Sequence, residues 1–388
     1  MITQLYLKNF KSIGEVNLAL RPLNVLIGRN AAGKSNLLSF FSLLREAANA
    51  NLNQALNRMG GIGQVAHYNA SEFEWAITFD SFESSLNSTV TYVGKVAARL
   101  NGYRLRFESL ERPPYEGYET PYRFMDVRDG RIRLLTQLKG AGNEEQNFEE
   151  SDQELVIAQI RDRVRYPALY EVRATLADWS IFRGFGSEAL ETIRKPQLLN
   201  VVEPPRLDAS GANLISVLQQ LANQPQYDDH YAALMEVLQA AFDDLERFDI
   251  PIVAGGMGAL NYRSRHFRNA VIPALNMSDG QLRFLGLALL LTAPNPPPLI
   301  AIDEPELGLH PHLLGLLAEL LREAAKHTQI IVTTHAPQLV NALQPEDILL
   351  VERETAYTTL TRPDGERLAK WLERYTLGEL WTMGRLGA

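Results

Sequence analysis

The pattern of apolar and polar positions changes period along the chain. The opening, ITQLYLKNFKSIGEVNLALRPLNVLIG, reads as short strands: Ile2, Leu5 and Leu7, a turn at Lys11–Gly14, then EVNLAL and the apolar run LNVLIG ending at Gly28. NLLSFFSLLREAANA follows, with Leu37, Leu38, Phe41 and Leu44 at helical spacing. Residues 73–137 predict an antiparallel meander of five strands (EFEWAITF, STVTYVGKVA, GYRLRFESL, YRFMDVR, RIRLLTQL) separated by Gly, Asn, Pro and Asp turns. The acidic stretch 142–154 predicts a solvated loop. Helical patterning then takes over in ELVIAQIRDRV, GANLISVLQQLANQ and YAALMEVLQAAFDDLERF. The last third returns to strand–helix alternation: PLIAIDEPE, the amphipathic HLLGLLAELLREAAKH, QIIVTTH and DILLVERE. That order predicts an α/β fold whose mostly parallel sheet binds ligands at its strands' carboxyl ends. No internal repeat or sustained heptad run is seen, so no long coiled-coil arm is expected.

Composition adds limits. Neither the hydrophobic fraction of 46% nor the charged fraction of 22% departs from that of a soluble globular chain. The formal net charge of −8 gives no global positive field, so nucleic-acid contact would need a local basic patch. There are no cysteines, which removes disulfides, thiolate metal sites and cysteine nucleophiles and fits a cytoplasmic location. The start lacks an apolar signal segment. FLGLALLLTA is about half the length of a membrane span, so it predicts a buried helix and no membrane association.

The chemistry concentrates in four motifs. Between the strand ending at Gly28 and the helix of Leu37–Leu44 lies GRNAAGKSN, which meets G-x-x-x-x-G-K-[ST] with Gly28, Gly33, Lys34 and Ser35. The backbone of Gly28, Asn30, Ala31, Ala32, Gly33, Lys34, Ser35 and Asn36 would cradle phosphates at a helix N-terminus. Lys34 would reach the β- and γ-phosphates of ATP and Ser35 would hold Mg²⁺. LIAIDEPE delivers Asp303 and Glu304 to a strand end: Asp303 for Mg²⁺, Glu304 to orient or deprotonate the attacking water. Alternatively, Asp-Glu-Pro simply starts a helix. His335, ending IIVTTH, either polarises the γ-phosphate or satisfies a loop. NMSDGQ, with Ser278, Asp279, Gly280 and Gln281, opens an apolar helix, either as an ordinary cap or as a second anion site for a phosphate held by another subunit.

Taken in order, GRNAAGKSN, MSDGQ, IAIDEPELGLHP and TTHAP resemble an ABC-type ATPase of the RecF/SMC/OLD branch, and so does LKNFKSIGEVNLAL ahead of the loop. More narrowly, SDGQLRFLGLALLL, DEPELGLHP, TTHAPQLV and LERYTLGELWTMGRLG resemble the compact stand-alone bacterial ATPases of the "AAA family". The resemblance implies an ABC-type head with an antiparallel β subdomain and a helical insertion. Its divisions would be a first ATPase lobe at 1–140, a mostly helical insertion at 141–250 and a second lobe at 251–388. It also implies a head-to-tail homodimer with two ATP–Mg²⁺ sandwiched between subunits, the phosphate loop of one facing Ser278–Gln281 of the other. Glu304 would be the catalytic base, His335 the switch histidine, and Leu307–Pro311 the loop crossing the interface. Lys11 and Ser12 would lie near the adenine or ribose, and Gln64 would link Mg²⁺ to the helical lobe. Asp279 departs from the usual Ser-Gly-Gly core, as in the compact group. About 50 residues follow His335, too few for the nuclease domain of the OLD type.

The function implied is an ATP-driven motor or switch in DNA maintenance or antiphage defence, with a partner such as an effector nuclease and possible assembly beyond the dimer. A nucleotide-gated scaffold with incidental ATP turnover is the alternative, its helical insertion being the binding surface; a transporter ATPase is a weaker third. Direct DNA contact would fall on Arg123, Arg128 and Lys139, on IRDRVRY, or on NYRSRHFR, where Tyr262, His266 and Phe267 interleave with Arg263, Arg265 and Arg268.

Overall fold

The computed structural model describes residues 1–80, 89–100, 102–114, 119–136, 148–149, 153–267 and 270–386. The acidic loop expected at 142–154 falls almost wholly outside them, as do Lys139 and Arg268. The chain divides into two units, one of Met1–Trp179 with Leu349–Arg362 and one of Ser180–Ile348 with Pro363–Ala388.

In the first unit, β1 (Ile2–Phe10) and β2 (Ile13–Ala19) form a hairpin with Leu5 opposite Leu18. β3 (Leu23–Ile27) is buried at every residue and leads to α1 (Lys34–Asn49). The free edge of β1 pairs with β4 (Glu72–Phe79), which begins the predicted meander. β5 (Val90–Arg99), β6 (Gly102–Arg112), β7 (Tyr122–Arg128) and β8 (Arg131–Leu134) follow, each antiparallel to the one before. Strict alternation turns Phe73, Trp75, Ile77 and Phe79 of β4 inward. Their rings meet α1: Phe10 lies 5.5 Å from Phe40 and 5.6 Å from Phe73, and Trp75 lies 6.2 Å from Phe40. Gly94 stands opposite Trp75 in the ladder, and a Cβ there would come 2.0 Å from the indole, so only glycine lets that ring lie on the strand. Truncating such a buried aromatic to alanine costs about 3–5 kcal/mol. A returning hairpin of Ile348–Glu354 and Tyr357–Thr361 completes the unit, with Thr358 beside Ile13 of β2.

The outer face of the meander is laced with cross-strand ion pairs. Lys95 meets Glu72 at 2.8 Å and Glu74 at 3.0 Å, and Arg123 meets Glu111 at 3.1 Å, while within β7 Arg128 meets Asp126 at 3.0 Å. Exposed pairs of this kind contribute about 0–1 kcal/mol each, and they engage the arginines with acidic neighbours.

In the second unit, β9 (Ser180–Phe182), β10 (Leu299–Asp303) and β11 (Gln329–Thr334) run parallel, with Ser180 opposite Ile300 and Leu299 opposite Gln329. β11 is buried throughout and β10 up to Asp303, as expected of parallel strands covered on both faces. Its helices include α2 (Ser187–Ile193), α3 (Leu214–Asn223), α4 (Asp228–Ala241), α5 (Asp279–Leu291) and α6 (Leu313–Ala324). α5 is buried continuously from Phe284 to Leu291, matching the core helix read from its apolar run. Among the described residues no helix is long and apolar enough to cross a membrane.

The α/β class is as expected, and two helical readings are corrected. ELVIAQIRDRV forms only one helical turn, Val156–Gln159. Ile160 is extended, and the Asp162 carboxylate accepts from the backbone N–H groups of Val164 and Arg165, a local turn that competes with helix. The segment YAALMEVLQAAFDDLERF is helical only to Ala241; Leu245–Asp249 is a strand paired with Asn261–Ser264.

That single turn at Val156 is capped from a distance. The wholly buried Glu108 carboxyl accepts from Val156 N–H at 2.6 Å, Ile157 N–H at 3.2 Å and the Tyr92 hydroxyl at 2.8 Å. Burial raises its pKa from the usual 4.5 to about 7, against the opposing pull of those three donors. The folded chain therefore keeps a proton that the unfolded chain releases, and stability falls as pH rises from about 4.5 to about 7. Chemical unfolding at pH 5 and pH 8 should show the stability of the native chain relative to Glu108→Gln dropping by up to about 3 kcal/mol at the higher pH. A difference that does not change with pH would contradict this protonation.

Candidate functional site

The phosphate loop is built by backbone sterics in the first unit. Gly28 follows β3 so close to the returning hairpin that a Cβ would lie 2.2 Å from the Val351 carbonyl oxygen. Gly33 has φ +109°, and a Cβ there would lie 2.3 Å from Thr358 Oγ1 and 2.8 Å from Ser12 Oγ. Both glycines of the motif are thus required by the fold, apart from any ligand. Ala31 takes a left-handed φ of +61°, which costs a non-glycine residue roughly 1–2 kcal/mol.

Hydroxyls and amides fix the loop from behind. Thr358 Oγ1 donates to the Ala32 carbonyl at 2.6 Å and shares a 2.7 Å hydrogen bond with Ser12 Oγ. Asn36 Nδ2 donates to Ser12 Oγ at 2.6 Å. Ser12 therefore supports the loop's rear through its hydroxyl. Lys34 is 95% buried and its ammonium donates to the Gly28 carbonyl at 2.9 Å, folding back over the loop it belongs to. Asn30 and Ser35 are exposed, with Ser35 in the first turn of α1. Lys11, at φ +50°, donates its backbone N–H to Val65, and Gln64 stands exposed in the short helix Ile62–Val65.

The acidic cluster belongs to the second unit. Asp303 ends β10, and its carboxylate accepts from the Thr333 hydroxyl. Glu304 follows with φ +48°, a strained conformation for a non-glycine residue, held by its N–H donating to the Thr333 carbonyl at 3.1 Å. The resulting turn aims Glu304 Oε1 at His335 Nε2, 2.7 Å away. Glu306 secures the histidine from the other side: one carboxylate oxygen accepts from His335 N–H and from the Thr334 hydroxyl, each at 2.7 Å. Its second oxygen is enclosed with no hydrogen-bond partner among the described residues. The strand end and the turn after it thus bring Glu304 to His335, with Asp303 bound to Thr333.

The SDGQ turn opens α5 with a closed capping box: Ser278 Oγ accepts from Gln281 N–H at 3.2 Å and Gln281 Oε1 accepts from Ser278 N–H at 2.9 Å. Gly280 sits where a Cβ would lie 2.8 Å from the Gly308 carbonyl, so the loop after Glu306 packs on this turn. Asp279 is bound by Arg194 at 2.7 Å.

Ser35 hydroxyl and Asp303 carboxylate are hard oxygen donors of the kind that suit Mg²⁺. Residues missed by the sequence reading are Thr358, Glu306 and Arg194. Glu306 stood inside a quoted motif without a role, while Thr358 and Arg194 carry no local signal.

Comparison with known proteins bears on the family and the fold. Residues 23–341 match the family model AAA_21, described as "AAA domain, putative AbiEii toxin, Type IV TA system". Over 374 residues the chain is 24% identical to "Uncharacterized protein YbjD" of Escherichia coli (strain K12), covering 89% of this chain and 60% of that protein. The chain thus spans about three-fifths of that relative's length. The fold is similar to an SMC head solved bound to the C-winged helix domain of ScpA (TM-score 0.57, 15% identity, 95% of this chain and 99% of the other). It is also similar to an SMC head with an extended coiled coil, bound to the C-terminal domain of ScpA derived from Pyrococcus furiosus (TM-score 0.54, 14% identity, 96% and 98%). The fold is that of an ABC-type ATPase head.

Replacing Thr358 by valine keeps the shape and removes the hydroxyl that holds Ala32 and Ser12. The expected result is a loss of about 1–3 kcal/mol in unfolding free energy and a several-fold weaker affinity for a fluorescent ATP analogue. Thr358→Ser should bind nearly as tightly as the native chain; equal binding by Thr358→Val would show that the clamp is dispensable.

Proposed function

We propose that this chain, which belongs to the AAA_21 family, is an ATP-hydrolysing switch that closes as a head-to-tail pair around two ATP–Mg²⁺ and opens on hydrolysis. The observation that carries the reading is the strand–loop–helix cradle, with both motif glycines sterically enforced and Lys34 folded over the loop. In this mechanism the loop amides and Lys34 hold the β- and γ-phosphates, with the α1 dipole behind them. The Ser35 hydroxyl and the Asp303 carboxylate would each offer Mg²⁺ a hard oxygen ligand, and the ion would supply charge neutralisation. Glu304 takes a proton from the attacking water. His335, held in place by Glu306, orients Glu304 and senses the γ-phosphate. The SDGQ turn of a second copy contributes the remaining contacts.

A protein partner would read the open and closed states. The SMC heads solved with ScpA domains are bound to such partners, and the family description names a type IV toxin–antitoxin system; both support a defence or DNA-maintenance role with an effector. Arg123, Arg128 and Arg263 all bind carboxylates of this chain, which favours a protein reader over direct nucleic-acid contact by these residues.

Removing the base while keeping its shape should trap the closed state. Glu304→Gln with ATP is expected to elute as a dimer at micromolar protein and to hydrolyse ATP at least a hundredfold more slowly. A variant that binds ATP yet remains monomeric would refute the paired model. Separately, double-stranded DNA should leave the ATPase rate of the native chain within twofold, and salt-sensitive stimulation would overturn the assignment of the arginines.

A further inference from the structure

In the SDGQ turn an aspartate occupies the first position of α5, where the broader resemblance has a glycine. A carboxylate there is favoured by the helix dipole but presents negative charge to any phosphate approaching the same turn. Its partner comes from elsewhere in the second unit. Arg194 ends α2, with its side chain only 17% exposed, and its Nη2 donates both to Asp279 Oδ1 at 2.7 Å and to the Met277 carbonyl at 2.9 Å. Asp279 itself remains 61% exposed on the outer side of the turn. The guanidinium therefore ties down the backbone just before the Ser278 cap and neutralises the one acidic side chain in the turn.

We infer that Arg194 is a positioning residue for the trans-acting SDGQ turn: it draws the Asp279 carboxylate aside and cancels its charge, so that the turn accepts the γ-phosphate of ATP bound to a second copy. This rests on the head-to-tail reading above. Arg194 thus holds both the Asp279 carboxylate and the Met277 carbonyl. The two parts of its role are separable, because removing the carboxylate abolishes the need for neutralisation but does not replace the bond to the Met277 carbonyl.

The experiment uses the full chain carrying Glu304→Gln and measures the ATP concentration giving half-maximal dimer by light scattering. Adding Arg194→Ala should raise that concentration at least tenfold, while binding of a fluorescent ATP analogue to the dilute monomer stays unchanged. Adding Asp279→Asn as well should bring it back to within threefold of the parent. Thermal unfolding of each variant checks that the turn still folds. If the double change remains as impaired as Arg194→Ala alone, the arginine acts through backbone support and the proposal is wrong. It is equally wrong if Arg194→Ala dimerises like its parent. A parent that binds the analogue but never dimerises would instead remove the head-to-tail reading, and this proposal with it.

Discussion

One hydroxyl, that of Thr358, closes the phosphate loop. It reaches the Ala32 carbonyl and the Ser12 hydroxyl across more than three hundred residues of sequence, and Ser12 in turn receives Asn36 from the start of α1. A glycine-rich loop alone has too much conformational freedom to hold several N–H groups in one concave array. Here the array is fixed by contacts within the chain itself. Gly28 against Val351 and Gly33 against Thr358 leave no room for side chains, so the returning hairpin serves as a mould for the loop. The aromatic core of Phe10, Phe40, Phe73 and Trp75 holds α1 against the sheet behind it.

The acidic cluster follows a different principle. Its carboxylates stand at the ends of parallel strands, where backbone direction changes abruptly and a residue with positive φ can be over-determined by neighbours. Glu304 accepts that strain because Thr333 holds its amide, and the turn then points its carboxylate at His335. Glu306 completes the arrangement by binding the histidine's backbone. Three carboxylates within four consecutive positions thus have three distinct partners, assigned by the geometry of one turn.

Much of this was legible in the sequence because it is local. An apolar run, a glycine loop and an amphipathic helix in succession specify β3, the cradle and α1, and the apolar strands before Asp303 and His335 specify β10 and β11. The errors have equally local causes. Leu245 and Phe248 are buried at a spacing of three, which mimics a helix, yet the segment is a strand whose alternation is shifted by a bulge between Leu245 and Arg247. At 154–164 the helical pattern is real for one turn, after which Asp162 offers the backbone a better partner. Thr358 and Arg194 had no pattern to betray them, since a threonine on a strand and an arginine at a helix end gain meaning only from what folding brings beside them. Ser12 was placed by resemblance near the nucleotide, and its hydroxyl is engaged with the loop's rear.

The interruption of the first unit by the second bears on how the protein is made. Residues up to Trp179 leave the ribosome well before the segment from Leu349 that finishes their sheet, with 169 intervening residues between them. At ordinary synthesis rates of about 5–20 residues per second that gap lasts roughly ten to thirty seconds. Throughout it the nascent loop carries its full nucleotide-binding motif but lacks the hairpin that shapes it. The contacts that shape the loop are therefore complete only once Thr358, which follows both Asp303 and His335 in the chain, has been translated.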